Sequence, residues 1–249
     1  MDLRSIIVTG SSRGIGAACA RLAASNGWAV CINFRANEAA AQAVVQEIER
    51  NGGRAIAVAG DVASERDVAT LFDAAERAFG KLAGLVNNAG ILGPTSRLAD
   101  MSLDRWNQTV ATNLTGSFLC AREAVRRMAR SSGGNGGTIV NMSSMAAVLG
   151  APGEFVDYAA SKGGIDTLTV GLAKEVAAEG IRVNAVRPGL IDTEIHASTG
   201  DEHRAARLMS TVPMQRVGTP EEVAKTVLWL LSDESSYTTG VTINVSGGR

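Results

Sequence analysis

The chain has 249 residues, 45% of them apolar and 20% charged, and carries a net charge of −1. That composition supports one large core or two small ones, and the balanced charge, without a long basic run, argues against nucleic acid as a partner. No apolar run reaches the roughly 18–20 residues of a membrane span, and Met1-Asp2-Leu3-Arg4 passes directly into an apolar stretch that reads as a strand and not as a signal peptide.

Residues 6–9 read as a short buried strand. Gly10-Ser11-Ser12-Arg13-Gly14-Ile15-Gly16 follows, then a helix with Ile15, Cys19, Leu22 and Ala23 on one side, ended by Asn26-Gly27. Further strands are expected at 28–33, 54–59, 85–87, 138–142, 182–186 and 241–245. Helices are expected at 38–50, from an N-cap at Ser64 to 79, at 103–129 with a break near Asn113 or Gly116, at 156–178, and from Pro220 to 231. Residues 131–137 form a Gly-rich loop and not a domain linker, because the alternation resumes at once. Residues from about 193 to 214 are polar, hold both histidines and lack periodicity, so they read as short helices in a mobile lid. Strand and helix alternate without an internal repeat. This predicts an α/β fold: a single domain over 1–249, with a parallel seven-stranded sheet, helices on both faces and a substrate lid at about 190–214.

Cys19, Cys31 and Cys120 are odd in number and far apart, with no Cys-x-x-Cys and no Cys/His cluster. A disulfide framework and a metal site are therefore not expected, and a cytoplasmic, reducing setting fits. Asn-x-Ser/Thr triplets at Asn107, Asn113, Asn141 and Asn244 read as chance matches.

Tyr158 and Lys162 stand four residues apart in the expected 156–178 helix, which puts both side chains on one face. A phenol, with a reference pKa of about 10, is a poor acid at neutral pH. A lysine ammonium beside it favours the phenolate and lowers that pKa. Such a Tyr can give a proton to a carbonyl oxygen or take one from an alcohol. An isolated Tyr-x-x-x-Lys is more often a packed Tyr above a solvated Lys, so the reading depends on the rest of the chain.

Gly10-x3-Gly14-x-Gly16 is a turn that lets backbone N–H groups and a helix N-terminus face a pyrophosphate. Gly10 suits the tight turn, Gly14 the close approach, and Gly16 the packing of helix on strand. The same stretch also fits Gly-x-Ser-x-Gly, the nucleophile elbow of a hydrolase, with Ser12 as nucleophile and His196 or His203 as base. Against that, no earlier strand would support the elbow, and both histidines lie in the stretch read as a lid.

Thr9-Gly10-x3-Gly14-x-Gly16, Asn87-Asn88-Ala89-Gly90, Asn113, Ser143-Ser144, Tyr158-x3-Lys162 and Pro188-Gly189 occur in this order. With them essentially the whole chain resembles the short-chain dehydrogenase/reductase family, nearest its 3-oxoacyl-carrier-protein reductase and sugar dehydrogenase branches. The resemblance implies a Rossmann-type doubly wound sheet, a nicotinamide cofactor and a homotetramer built through the long helices. It implies Tyr158 as general acid/base and Lys162 as the group that holds the nicotinamide ribose and lowers the Tyr pKa. Ser144, preferred to Ser143, would hydrogen-bond the substrate oxygen, and Asn113 would hold a water in a proton relay. For the cofactor it implies the loop Gly10, Ser12, Arg13, Gly14, Ile15 and Gly16. Asp61 and Val62 would lie at the adenine, Asn88, Ala89 and Gly90 at the adenosine ribose, and Pro188, Gly189, Ile191 and Thr193 at the carboxamide.

Two features depart from the family pattern. The usual Ser-to-Tyr interval of about thirteen would land on Met145, so one extra residue is inferred within 145–157. Ser246-Gly247-Gly248 also stands where Asp-Gly-Gly is usual.

The expected activity is an NADP(H)-dependent interconversion of a ketone and a secondary alcohol. The alternatives are the Ser12 hydrolase and a nucleotide-binding sensor without turnover. NADP(H) is expected because the second strand runs into Asn33-Phe34-Arg35-Ala36-Asn37 with no carboxylate until Glu38. An NAD enzyme of this architecture places an acid there for the ribose 2′-OH. Arg35 and Arg13 would instead meet a 2′-phosphate by charge and fork geometry. The substrate is a small molecule, with 3-oxoacyl thioesters and sugars as candidates. Arg126, Arg127 and Arg130 are candidates to dock an acidic carrier protein, though cations near a helix C-terminus are the plainer reading.

Overall fold

Seven short apolar runs form one parallel sheet: β1 (Ser5–Val8), β2 (Ala29–Phe34), β3 (Arg54–Ala59), β4 (Leu82–Asn87), β5 (Gly137–Met142), β6 (Ile181–Pro188) and β7 (Thr242–Val245). Their order is β3-β2-β1-β4-β5-β6-β7. The computed structural model describes residues 4–194 and 204–249. Its helices in chain order are α1 (Gly14–Ser25), α2 (Glu38–Arg50), α3 (Glu65–Phe79), α4 (Leu103–Val110), α5 (Gly116–Met128), α6 (Ala146–Leu149), α7 (Val156–Val176), α8 (Arg204–Met209) and α9 (Pro220–Leu231).

β1 explains why these strands are largely apolar. Ile6 and Val8 point into a core with α1, α2 and α9, while Ile7 points into a second core with α3, α5 and α7. Side chains alternate across a strand, so a sheet covered on both faces needs apolar residues at both parities. The helices start where polar caps stand. Asn37 accepts from the Ala40 N–H, Ser64 from the Asp67 N–H, and Thr219 with Glu222 forms a capping box behind Pro220. Such caps contribute about 1 kcal/mol each.

Four expectations are corrected. β2 is shifted one residue along, to Ala29–Phe34. β4 begins at Leu82, because Gly84 gives Ile6 and Trp28 room to pack: a Cβ there would lie 3.1 Å from Ile6 Cγ1. Residues 103–128 do not break. α4 passes through a π-helical turn, Ala111–Thr115, directly into α5. The short helix α6 was not expected. Of the lid expected at 190–214, residues 195–203 with His196 and His203 lie outside the described residues.

The chain winds from β1 to β3 on one side, then crosses back to place β4 on the other. The loops after β1 and β4 part at that switch point, which opens a crevice at the carboxyl ends of the strands.

Candidate active site

The Gly-rich loop leaves β1 into this crevice. Gly10 and Gly14 take left-handed backbone, with φ of 59° and 53°, where a side chain would be strained. A Cβ on Gly10 would lie 2.9 Å from Ala89 Cα, and one on Gly16 would lie 2.5 Å from Asn88 Nδ2. The loop is pinned from both sides. Asn33 accepts from the Gly10 N–H through Oδ1 and donates to the Gly60 carbonyl at 3.0 Å. Asn88 Nδ2 donates to the carbonyls of Thr9 and Gly10, and the Asn88 and Ala89 amides donate to Thr9 Oγ1. No side chain caps the N-terminus of α1, and its first turn holds no acid. That end of the helix is therefore suited to an anion.

A cleft of about 430 Å³ follows, lined by Gly10, Ser12, Arg13, Gly14, Ile15 and Gly16, by Arg35, Asp61 and Val62, and by Asn88, Ala89, Gly90 and Thr193. Arg35 Nη1 stands 3.8 Å from Asp61 Oδ2, and Asp61 Oδ1 accepts from the Ala63 N–H. A second cavity of about 170 Å³ is lined by Ser143, Ser144, Tyr158, Lys162, Pro188, Gly189 and Ile191, with Leu92, Met145, Leu149, Phe155 and Leu190 as apolar wall. Ile15, Asn88, Gly90 and Thr193 line both, so the two form one groove.

Helix α7 carries Tyr158 and Lys162 along one side. The Lys162 ammonium donates to the Met142 carbonyl at the end of β5, and lies 5.5 Å from the Tyr158 ring centroid. Burial pulls its pKa down to about 8, against the opposing pull of Asp166. Asp166 is itself held by the Arg187 guanidinium at 2.8 and 2.9 Å.

The two serines after β5 differ in direction. Ser143 is buried and its hydroxyl donates to the Lys162 carbonyl. Ser144 is half-buried, and its Oγ accepts from the Ala146 N–H at the start of α6. A hydroxyl that accepts there keeps its own proton to donate. The segment between Ser144 and Tyr158 holds α6 and a turn with positive φ at Gly150, Ala151 and Gly153.

Asn113 lies in the π-turn and lines neither cavity. Its Oδ1 accepts from the Ile91 N–H at 2.8 Å, and its Nδ2 donates to the Ile91 carbonyl and to Ser161 Oγ. Gly90 separates it from the groove: a Cβ there would lie 3.4 Å from Asn113 Oδ1 and 3.5 Å from Lys162 Nζ.

Some contributors were not anticipated. Asn33 looks like one more residue of an apolar strand, and only its contact with Gly10 marks it. Arg105 looks like a solvated helix charge, yet it binds Asp157 beside Tyr158. Arg127, a candidate for carrier docking, is instead bound to Asp73, Glu76 and Glu123. The three thiols are buried and pushed up to about 12.

Residues 10–249 match the sequence model of a family described as enoyl-(acyl carrier protein) reductase. The chain belongs to the short-chain dehydrogenase/reductase family. This short-chain dehydrogenase/reductase is 53% identical over 243 residues to the uncharacterized oxidoreductase YgfF of Escherichia coli (strain K12), with 98% of each chain covered. It is 41% identical over 243 residues to a 3-oxoacyl-(acyl-carrier-protein) reductase of Synechocystis sp., covering 97% of this chain and 95% of that one. Its fold matches the crystal structure of a dehydrogenase/reductase from Sinorhizobium meliloti 1021 with a TM-score of 0.92 and 32% identity, over 100% of this chain and 95% of the other. Oxidoreductase chemistry follows from membership, and the family implies a nicotinamide cofactor. Among the described residues of this short-chain dehydrogenase/reductase, no helix is long and apolar enough to cross a membrane.

Proposed function

We propose that the chain is an NADP(H)-dependent oxidoreductase that interconverts a ketone and a secondary alcohol, with Tyr158 as general acid/base. The observation that carries this reading is the gathering of Tyr158, Lys162 and Ser144 in a cavity continuous with the cleft of the Gly-rich loop. The residues present fit a dinucleotide: a loop crowded at Gly16, an uncapped helix N-terminus and two arginines at one end of the cleft. Pro188, Gly189, Ile191 and Thr193 stand at the other end, beside the cavity, for the carboxamide. Asp61, Val62, Ala89 and Gly90 wall the adenosine side.

The bound cofactor supplies the hydride that reaches the carbonyl carbon. Tyr158 gives its phenol proton to the carbonyl oxygen, and Ser144 donates a hydrogen bond to the same oxygen. Lys162 favours the phenolate that remains and holds the ribose hydroxyls. Asn113 fixes the loop at Ile91 and would hold a water that links Lys162 to bulk solvent. The apolar wall of Leu92, Met145, Leu149, Phe155 and Leu190 takes the body of the substrate. A homotetramer, common in the family, belongs to the same proposal. Trp106 on α4, Phe118 on α5 and Val170 on α7 are exposed on the long helices.

The test is turnover of 3-oxoacyl thioesters, aldoses and simple ketones with NADPH, in wild type and Tyr158→Phe. The variant should lose reduction and keep NADPH binding. Full retained activity would sink the mechanism. Esterase activity lost on Ser12→Ala would favour a hydrolase, and NADPH binding without turnover across the panel would favour a sensor.

A further inference from the structure

We propose that Arg105 and Asp157 are positioning residues for Tyr158, a clamp that fixes the first turn of α7 against the loop that follows β4. The inference rests on the reading of Tyr158 as the acid/base.

Asp157 immediately precedes Tyr158 and is only 1% exposed. A lone carboxylate buried to that degree is costly, so its partners matter. Arg105 Nε and Nη2 donate to its two oxygens at 2.9 and 3.2 Å, and Thr109 Oγ1 donates at 3.1 Å. The backbone amide of Tyr158 itself donates to the same carboxylate. Burial pushes the Asp157 pKa up, but these donors outweigh it and hold the carboxyl below its ordinary range.

Arg105 does more than neutralise Asp157. Its Nη1 donates to the Pro94 carbonyl, and its guanidinium lies against Gly93, where a Cβ would meet Nε at 3.2 Å. One side chain thus joins α4, the loop after β4 and the turn that bears Tyr158. The same three segments are joined a second time, by Asn113. That residue follows α4 in the π-turn, binds Ile91 in the loop after β4, and reaches Ser161 on α7. Tyr158 sits between the two attachment points on α7, at 157 and 161. Only the Asp157 attachment lies N-terminal to the Tyr. The N-cap, Phe155, supplies no side-chain cap, so Asp157 is a side-chain anchor of this first turn, beside the bond from the Ser96 N–H to the Glu154 carbonyl just ahead of it. A small displacement of an acid/base group costs rate strongly, because proton transfer needs hydrogen-bond reach.

The experiment compares Asp157→Asn and Arg105→Lys with wild type and Tyr158→Phe, on whichever carbonyl gives turnover. Asp157→Asn should lower kcat at least tenfold while the NADPH dissociation constant stays within twofold. Arg105→Lys keeps charge but not the fork, and should fall between. The Arg105→Ala/Asp157→Ala double variant should be no slower than the slower of the matching Arg105→Ala and Asp157→Ala single variants. In cofactor-free protein, amide exchange at 156–160 should speed up at least tenfold in Asp157→Asn, with β1 and β4 unchanged. Rates within twofold of wild type in both variants would overturn the clamp. So would loss of NADPH binding together with faster exchange throughout the sheet, since that is a purely structural role. If Tyr158→Phe is itself fully active, the acid/base reading fails instead.

Discussion

The Lys162 ammonium lies 5.5 Å from the centroid of the Tyr158 ring, fully inside the protein and bound to the Met142 carbonyl oxygen. Its burial has a thermodynamic signature. Its pKa drops from an ordinary 10.5 to about 8 in the fold, so between those values the unfolded chain holds the extra proton. Stability therefore rises with pH across that window as the burial penalty of the charged form is relieved, by up to about 3 kcal/mol. The three buried thiols act in the opposite sense above pH 9, their pKa being pushed up from 9.0 to about 12. The clean measurement is a difference. Urea denaturation of wild type and Lys162→Met from pH 7 to 10 should show the wild type gaining relative to the variant above pH 8. Parallel profiles would contradict the burial of a charged Lys162.

Cofactor preference turns on Arg35. It already faces Asp61 at 3.8 Å, so a 2′-phosphate has to take its place beside that carboxylate. Two charge-assisted contacts of about 1.5–3 kcal/mol each, from Arg35 and Arg13, should give at least a tenfold preference for NADPH if the proposed assignment holds. Arg35→Asp should shift kcat/KM toward NADH, and Asp61→Asn should tighten NADPH. Wild-type kcat/KM with NADH equal to or better than with NADPH would overturn the assignment.

Gly16 has no space for a methyl group: beside Asn88 Nδ2, its Cβ would meet the Gly10 carbonyl oxygen at 2.7 Å. Gly16→Ala has to push the loop off Asn88 and break its bonds to Thr9 and Gly10. We expect a loss of about 1–3 kcal/mol in stability and at least tenfold weaker NADPH binding by fluorescence titration. A variant with unchanged melting and binding would show that the loop is not under this constraint.

The assembly is testable by light scattering. At micromolar concentration the mass should be four times that of the 25.7 kDa chain, and Phe118→Glu combined with Val170→Glu should reduce it. Charged residues at the apolar centre of an interface cost far more than at its rim. A wild-type monomer refutes the proposal.

The sheet was legible in the sequence because each strand is an apolar run closed by a turn residue, and α2, α3 and α9 because Asn37, Ser64 and Thr219-Pro220 stand where their caps have to be. The Gly-rich loop and the Tyr158–Lys162 spacing were legible for the same reason, since both are local. What escaped was non-local. A π-turn and an α-turn have the same local preferences, so nothing nearby in sequence marks Ala111–Thr115 as the wider turn that carries Asn113. Arg105 and Asp157 are 52 positions apart, and nothing nearby in sequence marks either as the other's partner. The adjacent serines also differ non-locally: the Ser143 hydroxyl donates to the Lys162 carbonyl, while Ser144 Oγ accepts from the Ala146 N–H.

The π-turn at Ala111–Thr115 also sets a limit on how the gene for this chain can change length. Such a turn is an α-helix that has accepted one additional residue. Deleting any one residue there would restore an ordinary helix, and the chain would still read as helical throughout. The deletion would leave α4 and α5 nearly in phase, because the widened turn already absorbs the extra residue, but it would remove the turn that aims Asn113 at Ile91 and Ser161. Asn113 would then leave Ile91. The exposed tip of the Gly-rich loop at Ser132 and Gly133, where a Cβ on Gly133 meets nothing, can gain or lose a residue without such a penalty. Single-residue indels should thus be tolerated at 132–133 and absent at 111–115, although the second segment is the more regular of the two.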